Sequence, residues 1–383
     1  MNNSIPKILV VDDEPDLEML IKQKFRKEIR DNKYNFVFAG NGIEALKKLN
    51  EDLEIELVLT DINMPEMDGL TLLAKIKELN NPLLHSVIVS AYGDILNIRT
   101  AMNGGAFDFV VKPIDLTDLE ITINKAVDNL STFKKALKSR DELMTVRKEL
   151  EEARALQLAM LPASTPKVNE FEFGVFMETA SEVGGDYYDF SFKRDGSLNV
   201  AIGDATGHGM RAGIMVSIMK ALFISDSAEL DLIEFFNNSN KTIKSLNLGR
   251  MMMAFTVLNI NKNNVRFINA GMPPIFIYRK TTNNVDEYET QCMPLGAISD
   301  LNFNITEFDI NSGDTILILT DGFPELSNHL DVVYGYDRVQ NEFQKLADKS
   351  PKEIIEGLKS SAAEWVNKKP PIDDVTFVVI KVK

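Results

Sequence analysis

The chain has 383 residues, a formal charge of −15, 44% hydrophobic and 26% charged residues. That is too long for one ordinary domain, and too acidic to grip nucleic acid without a segregated basic patch, of which no strong example stands out. A single cysteine (Cys292) excludes an intrachain disulfide, and His85, His208 and His329 lack zinc-like spacing. No run approaches the ~18–20 apolar residues of a membrane span, and the first residues have no signal-peptide pattern. The expectation is a soluble, cytoplasmic protein with neither a membrane nor a nucleic-acid partner.

The first strand expected is Lys7-Ile8-Leu9-Val10-Val11, an unalternating apolar run that ends in Asp12-Asp13-Glu14-Pro15. Such a run suits a strand buried on both faces, and Pro15 can open the helix that follows. Similar runs at 35–39, 55–60, 86–90 and 107–111 are separated by helical patterns. Five βα units predict a doubly wound α/β fold with a five-stranded parallel sheet and a site at the carboxyl ends of its strands. Asp12, Asp13, Asp61, Ser90 and Lys112 fall at those ends. Three carboxylates, a hydroxyl and an ammonium there suit a Mg²⁺ and phosphoryl site. Asp61 would be the nucleophile, Asp12 and Asp13 the metal holders, and Ser90 and Lys112 the ligands of the phosphoryl oxygens.

Val-Asp-Asp-Glu-Pro, Thr-Asp-Ile-Asn-Met-Pro-Glu-Met-Asp-Gly (60–69), Val-Ser-Ala-Tyr-Gly (89–93) and Val-Lys-Pro (111–113) resemble the CheY-like receiver of response regulators. The resemblance spans residues 1–122. It implies that a sensor histidine kinase phosphorylates Asp61, that the Lys112–Pro113 bond is cis, and that Phe109 is a switch aromatic coupled to Ser90.

From about Asp115 to Pro162 the pattern is helical, without Gly or Pro. Leu119, Ile123, Ala126, Leu130, Phe133 and Leu137 recur at spacings of four and three, which reads as a heptad seam. Leu143, Val146, Leu150 and Ala153 resume it with a phase shift near Ser139–Asp141. Residues 123–160 are therefore expected to be a helical coiled-coil linker that makes a homodimer through 119–155. Residues 149–162 resemble the helix that precedes the phosphatase domain in stress-response regulators.

Beyond it, strands are expected at 171–179, 187–193, 198–204, 252–259, 264–270, 275–278, 315–320 and 375–382. Helices are expected near 210–225, 230–246 and 351–367. Many strands with grouped helices predict an α/β sandwich of mainly antiparallel sheets over 161–383. Gly-Gly-Asp-Tyr-Tyr-Asp-Phe (184–190), Gly-Asp-Ala-Thr-Gly-His-Gly (203–209), Thr-Asp-Gly (320–322) and Ile-Asp-Asp-Val-Thr (372–376) place aspartates beside glycine or a second carboxylate at strand ends. Asp186, Asp204, Asp321, Asp373 and Asp374 could together hold two cations ~3.5–4 Å apart and activate a water against a phosphoserine or phosphothreonine.

These four strings resemble the metal-dependent protein phosphatase (PPM) superfamily, in its bacterial SpoIIE/RsbU-type branch, from about residue 160 to the end. The resemblance implies two Mn²⁺ or Mg²⁺ ions held by Asp204, Asp321, Asp373 and the backbone carbonyl of Ala205. It leaves open Asp186 or Asp189 in the first string, and Asp374 beside Asp373. It also implies that His208 lies within reach of the site, where it could protonate the leaving oxygen. One departure is Met272 in Asn-Ala-Gly-Met-Pro-Pro (269–274), where the family usually has histidine; substrate docking or regulation is expected to differ there.

The whole reads as a two-component response regulator whose output is a metal-dependent serine/threonine phosphatase. By resemblance its substrate is a phosphorylated STAS-domain anti-sigma factor antagonist. Two other classes, a non-enzymatic adaptor and a DNA-binding regulator, are opposed by the intact acidic strings and by the charge and missing output motif respectively.

Overall fold

The computed structural model describes residues 5–91, 93–226, 229, 231–367 and 371–383. Tyr92 of the 89–93 string and Leu230, the expected start of a helix, lie outside them. Two compact units result, Met1–Thr145 and Val146–Lys383.

In the first unit, β1 (Lys7–Val11) leads to α1 (Pro15–Lys24), the short α2 (Arg26–Arg30) and β2 (Asn35–Ala39). Then come α3 (Gly42–Glu51), β3 (Ile55–Asp61), α4 (Gly69–Glu78), β4 (His85–Ala91), α5 (Ile95–Gly104), β5 (Asp108–Lys112) and α6 (Leu116–Met160). The five strands form one parallel sheet in the order β2-β1-β3-β4-β5. The apolar runs are buried because helices cover both faces. Ile8, Val10, Leu57, Leu59 and Val87 pack towards α1 and α6, while Leu9, Val11 and Val58 pack towards α3 and α4. Asn41 and Asp68 start α3 and α4 by accepting the N–H groups of Glu44 and Thr71.

The stripe on α6 divides in two. Leu119, Ile123, Ala126 and Leu130 are buried, the first three in the core of the parallel sheet. That half of the expected seam is occupied by its own domain and cannot also pair with a second chain. A seam over the whole of 119–155 is thereby corrected to the part beyond Leu130, where Phe133, Leu143 and Val146 are exposed. Heptad spacing is the same whether the partner is a sheet or another helix, so spacing alone could not distinguish them. The helix continues without interruption through Ser139–Asp141.

The second unit begins, after α6, with β6 (Phe171–Glu178), β7 (Asp186–Phe192), β8 (Leu198–Ala205), α7 (Met210–Asp226) and α8 (Leu232–Ser245). β9 (Met253–Asn261), β10 (Asn264–Ala270), β11 (Ile275–Arg279), β12 (Asn284–Tyr288), β13 (Thr306–Asp309) and β14 (Thr315–Leu319) follow. The unit closes with α9 (Tyr336–Leu346), α10 (Pro351–Val366) and β15 (Val375–Val382). Two antiparallel sheets form, β13-β10-β9-β8-β7 and β12-β11-β14-β15-β6. Alternate residues separate the cores. Leu198, Val200 and Ile202 of β8 face Ile316, Ile318, Val378 and Ile380 between the sheets. Ala201 and Ala205 face Met215, Val216 and Met219 of α7 on the outside. α9 and α10 cover the other sheet through Val339, Phe343, Ile354 and Leu358. The result is a helix–sheet–sheet–helix sandwich. Among the described residues no helix is long and apolar enough to cross a membrane.

Ile123→Ala should lower receiver stability by about 2–5 kcal/mol, because it opens a cavity in a closed core. Leu143→Ala should change it by less than about 0.5 kcal/mol. Urea unfolding of both variants measures the difference; equal losses would contradict the division of the α6 stripe.

Candidate functional site

In the first unit, strand ends bring the predicted residues together. Asp12, Asp13 and Asp61 each offer an oxygen within 4.8 Å of the others. Asp61 ends β3 buried, and its Oδ1 accepts the Ile62 N–H at 2.9 Å. Lys112, on β5, places its ammonium 3.0 Å from Asp12, 3.1 Å from Asp61 and 3.2 Å from Glu14. Burial pushes the Asp61 carboxyl upward against the pull of Lys112. Burial also opposes the Lys112 charge, but Asp12 and Asp61 outweigh it and hold the ammonium above its ordinary value. Gly69 lets the backbone close on this site, since a Cβ there would lie 2.0 Å from the Asp61 carbonyl oxygen. Ser90 is fully buried and its Oγ has no hydrogen-bond partner among the described residues, whereas Phe109 is part-exposed at 37%. The Lys112–Pro113 bond is cis. All-oxygen ligands within one small volume fit a hard cation such as Mg²⁺.

In the second unit, β7 and β8 pair with Asp186 opposite Asp204. Asp321 follows β14, and Asp373 and Asp374 precede β15, on the other sheet. The four strings therefore meet at one edge of the sandwich. Their charges act on one another: burial first, then Asp186, Asp321, Asp373 and Asp374, pushes the Asp204 carboxyl up to about 9. Burial, Glu325 and Asp373 push Asp321 up to about 6. Burial holds Asp186 well above the usual carboxylate range. The cluster is looser than that in the first unit: among the described residues, only Asp12, Asp13 and Asp61 gather three ligand atoms within 4.8 Å.

The oxygens nevertheless suit hard cations. A Cβ on Gly185 would meet the Ala205 carbonyl oxygen at 2.9 Å, Asp204 Oδ1 at 3.2 Å and the Gly207 carbonyl oxygen at 3.2 Å. Three oxygens thus surround a point that only glycine leaves open. Asp186 Oδ1 is buried with no partner among the described residues. No lysine or arginine pairs with Asp186, Asp204, Asp321 or Asp373 among them either. An orphaned oxygen in a field of like charge is the chemistry a divalent cation relieves.

Neighbouring carboxylates differ in what they are free to do. Asp189 Oδ2 accepts from the Lys220 ammonium and the Tyr187 hydroxyl, both at 2.6 Å, and Oδ1 accepts the Phe190 N–H at 2.8 Å. Asp374 accepts the N–H of Ala180 at 2.7 Å and that of Gly185, so it shapes the Gly-Gly-Asp turn. Asp373 gives one oxygen to the Asp374 N–H and is half-buried. His208 is exposed between Gly207 and Gly209, whose φ angles of 84° and 78° favour glycine.

Gln157 escaped the sequence reading. It is buried at the end of α6, donates to the Gly184 carbonyl at 2.7 Å and accepts the Gly184 N–H at 3.1 Å. A polar residue in step with Leu150 and Ala153 was the available signal. Met272 is buried between the sheets, and Asn269 closes its turn through Met272 N–H and the carbonyls of Met272 and Pro273. At the position where the family usually has histidine, this chain thus packs an apolar side chain into the core. Burial raises the Cys292 thiol, which keeps it protonated.

Residues 8–124 match the family described as response regulator receiver domain, and residues 194–383 match Stage II sporulation protein E (SpoIIE). Phosphoserine phosphatase RsbU of Bacillus subtilis (strain 168) is 27% identical over 225 residues, which cover 58% of this chain and 63% of RsbU. Transcriptional regulatory protein ZraR of Escherichia coli (strain K12) is 36% identical over 120 residues, 31% of this chain and 26% of ZraR. The chain thus spans under two thirds of either relative. The SiaA-PP2C domain of Pseudomonas aeruginosa shares the fold, with a TM-score of 0.57 at 19% identity over 63% of this chain and 98% of that one.

The raised Asp204 carboxyl sets a pH dependence. Between the ordinary carboxylate range and about 9 the folded, cation-free site holds a proton that the unfolded chain has released, so stability falls as pH rises through this window. In chelator, thermal unfolding of the second unit should drop by about 3–5 °C per pH unit between pH 5 and 8.5, from about 1.4 kcal/mol per proton. Saturating Mn²⁺ should flatten the slope. A flat profile in chelator would refute the crowding of the cluster.

Proposed function

We propose that this chain, whose two parts match the response regulator receiver domain and SpoIIE families, is a receiver-controlled, metal-dependent protein serine/threonine phosphatase. The reading assigns 1–122 to the receiver, 123–160 to the connector and 161–383 to the phosphatase. The observation that carries it is the meeting of Asp186 and Asp204 from one sheet with Asp321 and Asp373 from the other, around a buried oxygen that has no partner among the described residues. Asp204, Asp321, Asp373 and the Ala205 carbonyl would hold two Mn²⁺ or Mg²⁺ ions. Asp186 supports them because it keeps a free oxygen, while Asp189 and Asp374 are committed to Lys220 and to backbone N–H groups. The bound cations would supply charge neutralisation at the phosphoryl oxygens and a lowered pKa for the attacking water.

The reaction is hydrolysis of a phosphoserine or phosphothreonine ester. Water forms the new P–O bond, the bond from phosphorus to the side-chain oxygen breaks, and that oxygen takes up a proton as phosphate departs. His208, exposed four residues after Asp204, is the proposed source of the proton. The likeness to a phosphoserine phosphatase supports serine as the esterified residue. A STAS-domain anti-sigma factor antagonist is the substrate that the family resemblance favours.

A sensor histidine kinase would phosphorylate Asp61, with Mg²⁺ held by Asp12 and Asp13. The added charge would recruit Lys112 and the unpartnered Ser90 hydroxyl, and Phe109 would follow. α6 is the proposed route outward: its first turns are packed in the receiver core, and Gln157 near its end bonds the turn that carries Asp186. The exposed stretch of α6 near 133–150 is the surface left for a homodimer.

With Mn²⁺ the protein should hydrolyse p-nitrophenyl phosphate, and Asp204→Asn and Asp321→Asn should each lower turnover by ~100-fold or more while remaining folded. Turnover of a phosphorylated STAS protein should change on adding a small-molecule phosphodonor, and Asp61→Ala should erase that response. Wild-type turnover in both aspartate variants would refute the catalytic assignment; an unaltered response in Asp61→Ala would refute the control.

A further inference from the structure

We propose that Thr320 and Thr376 are positioning residues that fix Asp186 and tie the two sheets together at the cation site. The inference rests on the reading of that site as a cation site. Asp186 lies on β7, whereas Thr320 directly follows β14 and Thr376 lies within β15, so the three residues come from opposite sheets. Asp186 Oδ2 accepts the Thr320 hydroxyl at 2.9 Å and the Thr376 hydroxyl at 2.6 Å. Asp186 is 1% exposed, and both threonines are fully buried.

With Asp186 ionised, as a bound cation would hold it, the hydrogens admit one arrangement. Thr320 Oγ1 also accepts the Thr376 N–H at 3.0 Å, and the Thr320 N–H donates to the Thr376 carbonyl at 3.0 Å. A hydroxyl has one hydrogen, and an ionised carboxylate only accepts, so both threonine hydrogens point at Asp186 Oδ2. Oδ1 receives nothing among the described residues and stays buried. The pair therefore sorts the carboxylate, with one oxygen consumed by protein donors and the other reserved. Since Thr320 precedes Asp321, and Thr376 lies two residues beyond Asp374, the same bonds set how far Asp186 and Asp204 stand from the aspartates of the other sheet.

Supporting partners of this kind are worth ~10–100-fold in metal affinity. The test is Mn²⁺ titration by calorimetry, alongside thermal unfolding in chelator, of the full chain carrying Asp12→Asn and Asp13→Asn, which removes the receiver's cation ligands and serves as wild type for the second site. Thr376→Val removes the hydroxyl at nearly constant volume and should weaken Mn²⁺ binding by ~10-fold or more; Thr376→Ser should stay within about threefold of wild type. Thr320→Ala approaches the same oxygen from the other strand and should show the same loss, which keeps the inference open to refutation if the valine variant does not fold. A purely structural role would lower the unfolding temperature in chelator and leave Mn²⁺ affinity unchanged, and that result overturns the inference. If wild type takes up no Mn²⁺, the cation reading itself is wrong and the inference falls with it; if wild type binds and the variants bind equally, only the inference falls.

Discussion

Like charges brought together where water is scarce are the constraint around which the C-terminal sandwich is arranged. Backbone pairing puts Asp186 directly across from Asp204, and the returning strands bring Asp321 and Asp373 to the same edge. Nothing in a β-ladder favours two acids facing each other. The arrangement persists because hydrogen bonds to backbone and side-chain donors hold the acids from behind. Asp374 gathers two N–H groups of the Gly-Gly-Asp turn, and buried Asp189 anchors α7 through Lys220. Those acids are structural. The ones left without cationic partners are the ones that face the shared volume.

The receiver solves the same electrostatic problem differently. Its three aspartates are more tightly gathered, but Lys112 reaches two of them and offsets their charge. That site has a resident cation of its own kind, the Lys112 ammonium, shared among Asp12, Glu14 and Asp61. The sandwich has no such residue at its cluster among the described residues. One cluster is neutralised in part by the protein's own lysine, and the other is not, among the described residues.

Much of this was legible before any coordinates. Unbroken apolar runs such as Lys7–Val11 give buried parallel strands because both faces must be covered, and aspartates at run ends fall at the sheet edge by topology. β12 and β13 were missed because Asn-Val-Asp-Glu-Tyr and Thr-Glu-Phe-Asp are short edge strands with too few apolar residues to show a period. α9 was missed for a related reason, since only Val339 and Phe343 of its eleven residues are buried. Asp186 and Asp189 could not be separated by spacing, because the distinction depends on Lys220, which lies on a different element. The burial of Met272 was not legible either, because a motif position carries no sign of which sheet face it packs against.

The amide of Gln157 spends both its donor and its acceptor on a single residue, Gly184. Such a two-way grip resembles one rung of a ladder, and it holds at only one azimuth of the helix. Successive residues of an α-helix are turned by about 100° and advanced by 1.5 Å, so a slip of one position would carry the amide off the turn altogether. The angular setting of α6 is thereby written into the backbone two residues ahead of Asp186. The rotation of this end of α6 and the placement of the Gly-Gly-Asp turn are therefore tied by the same two hydrogen bonds.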